Sequence, residues 1–429
     1  MKYKQIDKKL FIENRKLFSK KLKKNTLAIF NANDIMPTNA DGTMPFNQNN
    51  DLFWLCGVDQ EESVLVIFPN HSDNNMREIL FLKETNKEIA IWEGAKLNKE
   101  EAYNTSGIQT VFWLSELESK LAELIEKAEG IYLNKNMHSR SASEVQTRDD
   151  RFRIMIKEKF SGKNIKEAAP IMHELRYIKS KIEISLMQTA CNITEQGVRR
   201  ILPFIKAGVM EYEIEAELMH EFLINRSAGF AYQPIIASGI DSCVLHYINN
   251  NKPCKNGDIL LMDFGAEYAN YASDLTRTIP VNGRFSERQK AVYNSVLHVM
   301  KEATKMLFPG TNFKDYNKEV GRIMEEELIK LGLLDKHDVR KQDPKNPLFR
   351  KYYMHGTSHS IGLDVHDVGS FERPMQEGMV FTCEPGIYIL EEALGIRLEN
   401  DILITADGPN DLMKNIPIEV DEIEDLMNA

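Results

Sequence analysis

The chain is 429 residues long, 42% apolar and 28% charged, which excludes a single small module, wholesale disorder and a collagen-like repeat. At roughly 150 residues per domain there is room for two or three domains, each able to bury a core. Its 64 acidic residues outnumber 54 basic ones, giving a formal charge of −10 that argues against a nucleic-acid or anionic-membrane partner and favours small neutral or cationic ones.

The N-terminus is basic, but Phe11-Ile12-Glu13-Asn14-Arg15 follows, so no apolar signal-peptide core develops. The longest apolar runs, such as 64–68 and 259–262, are strand-sized, far short of the ~18 residues that span a bilayer, and no transmembrane helix is expected. The five cysteines (Cys56, Cys191, Cys243, Cys254, Cys383) are odd in number, widely spaced and lack a Cys-x-x-Cys pair, as expected of reduced thiols in a cytoplasm. From about residue 10 to 135, charged helix-like stretches alternate with β-rich runs at 27–30, 63–68, 78–82 and 130–133, an α/β pattern. Residues 148–185 are dominated by charge and interrupted by Pro170, which predicts a boundary near 172: an N-terminal domain over 1–172 and a C-terminal domain over 173–429. The second domain opens with a helix over 181–205 and, past Gly208, another over about 211–223. The text around Ala207-Gly208 returns loosely at Pro309-Gly310, each time before an amphipathic helix; internal duplication and chance both account for it. With β-rich segments at 257–279, 355–368, 379–390 and 395–405, this domain reads as α+β.

Chemistry-bearing residues concentrate in those segments. Asp263 ends the apolar run Ile259-Leu260-Leu261-Met262, and Asp274 follows eleven residues on. A hairpin turning at Tyr268-Ala269 sets the two directly opposite, with Cβ atoms about 4.5–5.5 Å apart. Bare carboxylates so placed repel, and a divalent cation between them or a proton on one relieves this; two solvated loop aspartates are the alternative. His355, His359 and His366 fall within twelve residues, in a stretch whose glycines argue against one continuous helix. Glu384 ends another apolar run before Pro385-Gly386. In Gly395-Ile396-Arg397-Leu398-Glu399-Asn400-Asp401, strand alternation sets Arg397, Glu399 and Asp401 on one face. Arg397 is suited to holding a ligand carboxylate in place. Asp263, Asp274, His359, Glu384 and Glu399 together make a donor set suited to two divalent ions.

These segments resemble the pita-bread metallopeptidase family, and within it the aminopeptidase P branch. The resemblance is carried by His246-Tyr247, Met262-Asp263-Phe264-Gly265, Asp274-Leu275-Thr276-Arg277-Thr278, Met354-His355-Gly356-Thr357-Ser358-His359, His366-Asp367-Val368-Gly369, Cys383-Glu384-Pro385-Gly386 and Gly395-Ile396-Arg397-Leu398-Glu399. The N-terminal half is similar too, through Asn47-Gln48-Asn49-Asn50-Asp51-Leu52-Phe53-Trp54 and Ile91-Trp92-Glu93-Gly94. The resemblance implies an α/β N-terminal domain of the creatinase/aminopeptidase P type and an α+β pita-bread catalytic domain. It implies that Asp263, Asp274, His359, Glu384 and Glu399 are the metal ligands, with Asp274 and Glu399 bridging two divalent ions, manganese first, with cobalt, iron or zinc as alternatives. The implied activity is hydrolysis of the N-terminal Xaa-Pro bond of peptides by a hydroxide shared between the ions. Glu384 would move the proton, His246 and His366 would flank the reacting carbonyl, and Tyr232, His355 and Arg397 would join those two histidines in facing the substrate. The resemblance also implies a homodimer or homotetramer in which the loop at Trp92 reaches a neighbouring subunit, and a cytoplasmic location. Xaa-Pro dipeptidase, with the same fold and ligands, is the nearest rival activity. A non-catalytic peptide-binding module of the same fold is another, against which stand the five intact ligand positions.

Overall fold

Five short runs rich in β-branched and aromatic residues, with a sixth, polar one, pair into one mixed sheet in the computed structural model, which describes residues 2–429. They are β1 (Thr26–Asn31), β2 (Val64–Ile67), β3 (Glu78–Leu82), β4 (Thr110–Trp113), β5 (Gly130–Leu133) and β6 (Asn164–Glu167), ordered β4-β3-β2-β1-β5-β6. β1 runs antiparallel to β2 and parallel to β5. Leu27, Ile29, Val64, Val66, Ile79 and Phe81 meet Leu121, Leu124 and Ile125 of the helix Leu117–Lys127 in the core. β4 and β6, absent from the sequence reading, are the two edge strands. An edge strand need not be buried throughout, and Asn164-Ile165-Lys166-Glu167 lacks the apolar run that marks an inner one.

The chain divides into two compact units, Tyr3–Arg176 and Tyr177–Ala429. The expected boundary at 172 falls inside the helix Ala169–Arg176, whose Pro170 sits in the first turn, where its missing N–H costs nothing. Arg176 Nη1 donates to Asp51 Oδ1 at 2.8 Å, keeping this helix with the first unit.

In the second unit, the helix Lys181–Ile201 begins at a Ser180/Glu183 capping box and buries Met187, Ala190, Cys191 and Val198. It stops short of the expected residue 205 because Pro203 brings no N–H to continue the ladder. Gly208, at φ +96°, turns the chain into the helix Glu211–Ile224. The helices Glu287–Lys305 and Phe313–Lys330 are joined in the same way through Gly310, at φ +93°. That shared glycine turn is what the loose sequence repeat picks up.

The strands of this unit carry the site. β7 (Gly229–Phe230), β10 (Ala266–Tyr268) and β11 (Tyr271–Ala272) form one sheet, and β8 (Ile235–Ser238), β9 (Ile259–Phe264) and β12 (Leu275–Pro280) form another. β13 (Val380–Cys383), β16 (Asn400–Thr405) and β17 (Gly408–Asp411) form a third, while β14 (Gly386–Ile389) pairs with β15 (Leu394–Arg397). The register corrects one expectation: Asp263 faces Thr276, not Asp274. The turn is centred on Ala269-Asn270, with φ +55° and +65°, one residue beyond the expected centre. A one-residue shift of the centre moves the register by two places and preserves the face. Continuing the pairs Phe264↔Leu275 and Glu267↔Ala272, Asp274 lies opposite Gly265.

Candidate metal centre

Although they are not cross-strand partners, Asp263 and Asp274 converge on one hydroxyl. Tyr232 Oη lies 2.6 Å from Asp263 Oδ1 and 2.5 Å from Asp274 Oδ1. A hydroxyl carries one hydrogen and satisfies one of these oxygens; the other calls for a proton or a cation.

His359 arrives on an irregular segment fastened along β13. Thr382 N donates to His359 O at 2.9 Å, Thr382 Oγ1 accepts from His359 N at 3.1 Å, and Glu384 N donates to Thr357 O at 2.8 Å. His359 Nδ1 lies 3.0 Å from Ser360 O, to which it donates, so that Nε2 faces inward. Nε2 is 3.3 Å from Asp274 Oδ2 and 3.7 Å from Glu384 Oε1. Glu399 sits between β15 and β16, its N–H donating to Thr276 O at 3.1 Å and its Oε2 accepting from Thr276 Oγ1 at 2.7 Å. Ligand atoms of Asp274, His359 and Glu399 all lie within 4.8 Å of one another. Of the five expected ligands, these three are gathered most tightly; Glu384 borders them through His359, and Asp263 joins them through Tyr232.

The sequence reading missed several residues that build this arrangement. Arg277, 1% exposed, donates to the carbonyls of Thr276, Glu399 and Pro417 at 2.8–2.9 Å and to Asn400 Oδ1 at 2.8 Å, tying β12 to the segment that carries Glu399. A charged residue between Leu275 and Ile279, within a segment expected to be β, was the available signal. Asp401 Oδ2 accepts from Asp274 N at 3.1 Å. The expected alternation of 397, 399 and 401 had flagged its face, although those residues do not lie on one continuous strand: β15 ends at Arg397 and β16 starts at Asn400 in a different sheet. Tyr388 had no sequence signal as a site residue.

Arg397 is enclosed. Its Nη2 donates to Asp263 Oδ2 at 2.6 Å, Nη1 to Tyr388 Oη at 2.8 Å and Nε to Thr276 Oγ1 at 3.1 Å. With every nitrogen bonded to protein, its geometry is that of a carboxylate holder, not the substrate-facing group expected. His355 Nε2 lies 2.8 Å from Tyr388 Oη and its Nδ1 lies 3.9 Å from Glu384 Oε2. His366 is exposed, its ring edge-on to that of His359 at 4.3 Å between centroids. His246 is exposed on the loop between β8 and β9.

The chain compares as follows with known proteins. Residues 185–406 match metallopeptidase family M24, and residues 11–132 match the N-terminal domain of aminopeptidase P. The chain belongs to metallopeptidase family M24. Along its length this M24 metallopeptidase is similar to the Xaa-Pro aminopeptidase of Haemophilus influenzae, at 34% identity covering 99% of this chain and 98% of that protein. It is similar in structure to aminopeptidase PepP of Pseudomonas aeruginosa, with TM-score 0.88 and 30% identity over 99% of this chain and 98% of that one. It also resembles the zinc-substituted aminopeptidase P of E. coli in complex with product, with TM-score 0.89 and 31% identity over 99% of both chains. The two-domain architecture read from the sequence, α/β followed by α+β, is therefore the one this family branch adopts.

The electrostatics of the M24 site suit a cation. Burial pushes Glu384 up to about 7 against the opposing charges of His359 and Arg397. Burial also raises Asp263, opposed by Arg397, and lifts Glu399 well above the usual range, helped by Asp274 and Glu384. Burial alone would lower His359, but the hydrogen bond to Asp274 and the charge of Glu384 outweigh it and hold it at about 9. Burial and the Arg397 charge pull His355 down to about 4, so it is neutral near pH 7. Closely packed, dehydrated carboxylates that resist ionisation in their own company are the donor chemistry a divalent metal ion stabilises.

Proposed function

We propose that this enzyme is an Xaa-Pro aminopeptidase that removes the first residue of peptides with proline in second place, using two divalent ions, manganese foremost. Asp263, Asp274, His359, Glu384 and Glu399 would hold them. The observation that carries the reading is the convergence of Asp274, His359 and Glu399 within 4.8 Å, bordered by Glu384 and Asp263. When bound, such ions supply Lewis acidity that activates water and polarises the scissile carbonyl.

The remaining steps belong to the chain's own groups. Glu384, held at about 7, is poised to take a proton from the attacking water and to deliver it to the leaving proline nitrogen, where amide cleavage needs an acid. His366 and His246, both exposed, would face the substrate carbonyl and donate to the charge that develops there. Neutral His355 stands edge-on to the rings of Tyr353 and Tyr388, at 5.0 and 5.5 Å, offering flat surfaces to a pyrrolidine ring. An Xaa-Pro amide has no N–H and a fixed φ, so surfaces that give an amide hydrogen no acceptor favour proline. A cytoplasmic location and self-association complete the reading. Among the described residues no helix is long and apolar enough to cross a membrane, and Ile91 and Trp92 stand 79% and 89% exposed.

Assay of the manganese-loaded protein on Xaa-Pro-Xaa tripeptides beside Xaa-Pro dipeptides tests this. Hydrolysis of the tripeptides, abolished by chelator and restored by manganese, is expected. Activity confined to dipeptides would replace the reading with a dipeptidase.

A further inference from the structure

A dehydrated ion pair underlies the loop that presents His366. Lys179 Nζ donates to Asp367 Oδ2 at 3.0 Å, and both side chains are 1% exposed. The lysine is itself pinned: its N–H donates to Gly378 O at 2.8 Å, and Gly378 N donates to Ile404 O of β16 at 2.9 Å. The loop closes on itself where Asp367 N donates to Ser360 O at 2.8 Å. Two glycines mark where it seats on the segment Tyr177-Ile178-Lys179. A Cβ on Gly362 would come within 2.3 Å of Asp367 Oδ2 and 2.9 Å of Lys179 Cε, and one on Gly369 within 2.3 Å of the Tyr177 ring. Between these seats stands His366, at the ring of His359.

We propose that Lys179 and Asp367 are positioning residues for the reaction, their ion pair fixing the loop so that the His366 imidazole faces the substrate beside His359. This rests on the reading of His366 as a substrate-facing donor. Taking two full charges out of water is costly, and an apolar pair would fill the same space; what the charges add is one defined geometry at the base of the loop. Ser360 O, which takes the Asp367 N–H, also accepts from His359 Nδ1, so a fault in the pair that leaves the bound metal unchanged is one transmitted through His366.

The test is a double-mutant cycle on the manganese-loaded full chain, with an Xaa-Pro-Xaa peptide as substrate. Lys179→Met, Gly362→Ala and His366→Ala are assayed singly, and each of the first two is combined with the third. Gly362→Ala keeps both charges and crowds the carboxylate, so it completes the cycle even where Lys179→Met does not fold. His366→Ala is expected to lower kcat about 100-fold. Lys179→Met and Gly362→Ala should each lower kcat about tenfold, with KM and bound metal unchanged, and neither should cost more than about twofold once His366 is alanine. Equal losses with and without His366 would overturn the inference while leaving the role of His366 standing. Wild-type kcat in His366→Ala would overturn that role, and the inference with it.

Discussion

Glu384 and Arg397 divide the work of the site at the scale of single residues. Arg397 is buried, and its guanidinium fixes Asp263 and Tyr388. Replacing it with methionine leaves Asp263 without that cation, and metal affinity should fall about 10–100-fold, as read by metal titration. Glu384→Gln keeps the shape and removes the proposed proton carrier: kcat should drop about 10²–10⁴-fold in protein that stays folded. Protonation makes a third prediction. Glu384 rises from 4.5 to about 7 in the folded chain, so its stabilising contribution is complete below pH 4.5 and is lost as pH climbs through 7. His359 rises from 6.5 to about 9, so its contribution is complete below 6.5 and lost as pH climbs through 9. The metal-free protein therefore weakens from pH 5 to pH 8, while deprotonated ligands bind the ion better. The gain in Tm on adding manganese, followed by thermal shift, should be larger at pH 8 than at pH 5; an equal or smaller gain would contradict the assignment.

Among elements, the hairpin of β9 and β12 decides where the aspartates go, and it shows what the sequence could and could not reveal. The odd sum of 263 and 274 allows a two-residue turn to set the two carboxylates opposite each other, because side chains alternate with period two. Their direct opposition did not follow, because the turn residues are Ala269 and Asn270, and an alanine at φ +55° is not what turn chemistry leads one to expect. The contrast repeats elsewhere. Inner strands such as 64–67 announce themselves through burial on both faces, whereas edge strands β4 and β6 do not. The acids and histidines expected as ligands stand out in local text, but the polar brace around them, Arg277 to Glu399 O and Asp401 to Asp274 N, spans 122 and 127 residues, and no local pattern encodes such distances. Gly265 is the element's most constrained position. An added Cβ would lie 1.8 Å from Ser273 O, on the backbone beside Asp274. Gly265→Ala should destabilise the protein by about 1–3 kcal/mol, and more than Gly162→Ala, where nothing is crowded and φ is not positive, as measured by urea unfolding of the metal-loaded forms.

For the whole molecule, the relevant fact is that every expected ligand lies in the unit Tyr177–Ala429, while the six-stranded sheet with its own core lies in Tyr3–Arg176. Ligand binding stabilises what it touches, and local opening free energies differ between cooperative units of one chain. A cation held as proposed among Asp263, Asp274, His359, Glu384 and Glu399 would cross-link β9, β12 and the segments around 359, 384 and 399, which come from three different sheets and an irregular loop. Without it, those segments keep their backbone ladders but gain the mutual repulsion of dehydrated carboxylates. Chelation should therefore raise amide hydrogen exchange in peptides covering 259–280, 355–367 and 380–405, and leave peptides from β1, β2, β3 and β5 unchanged. Exchange mass spectrometry of the manganese-loaded and chelated full chain reads both sets at once. Faster exchange spread evenly over the two units would mean that metal acts on global unfolding, and faster exchange in the first unit alone would place the cation elsewhere.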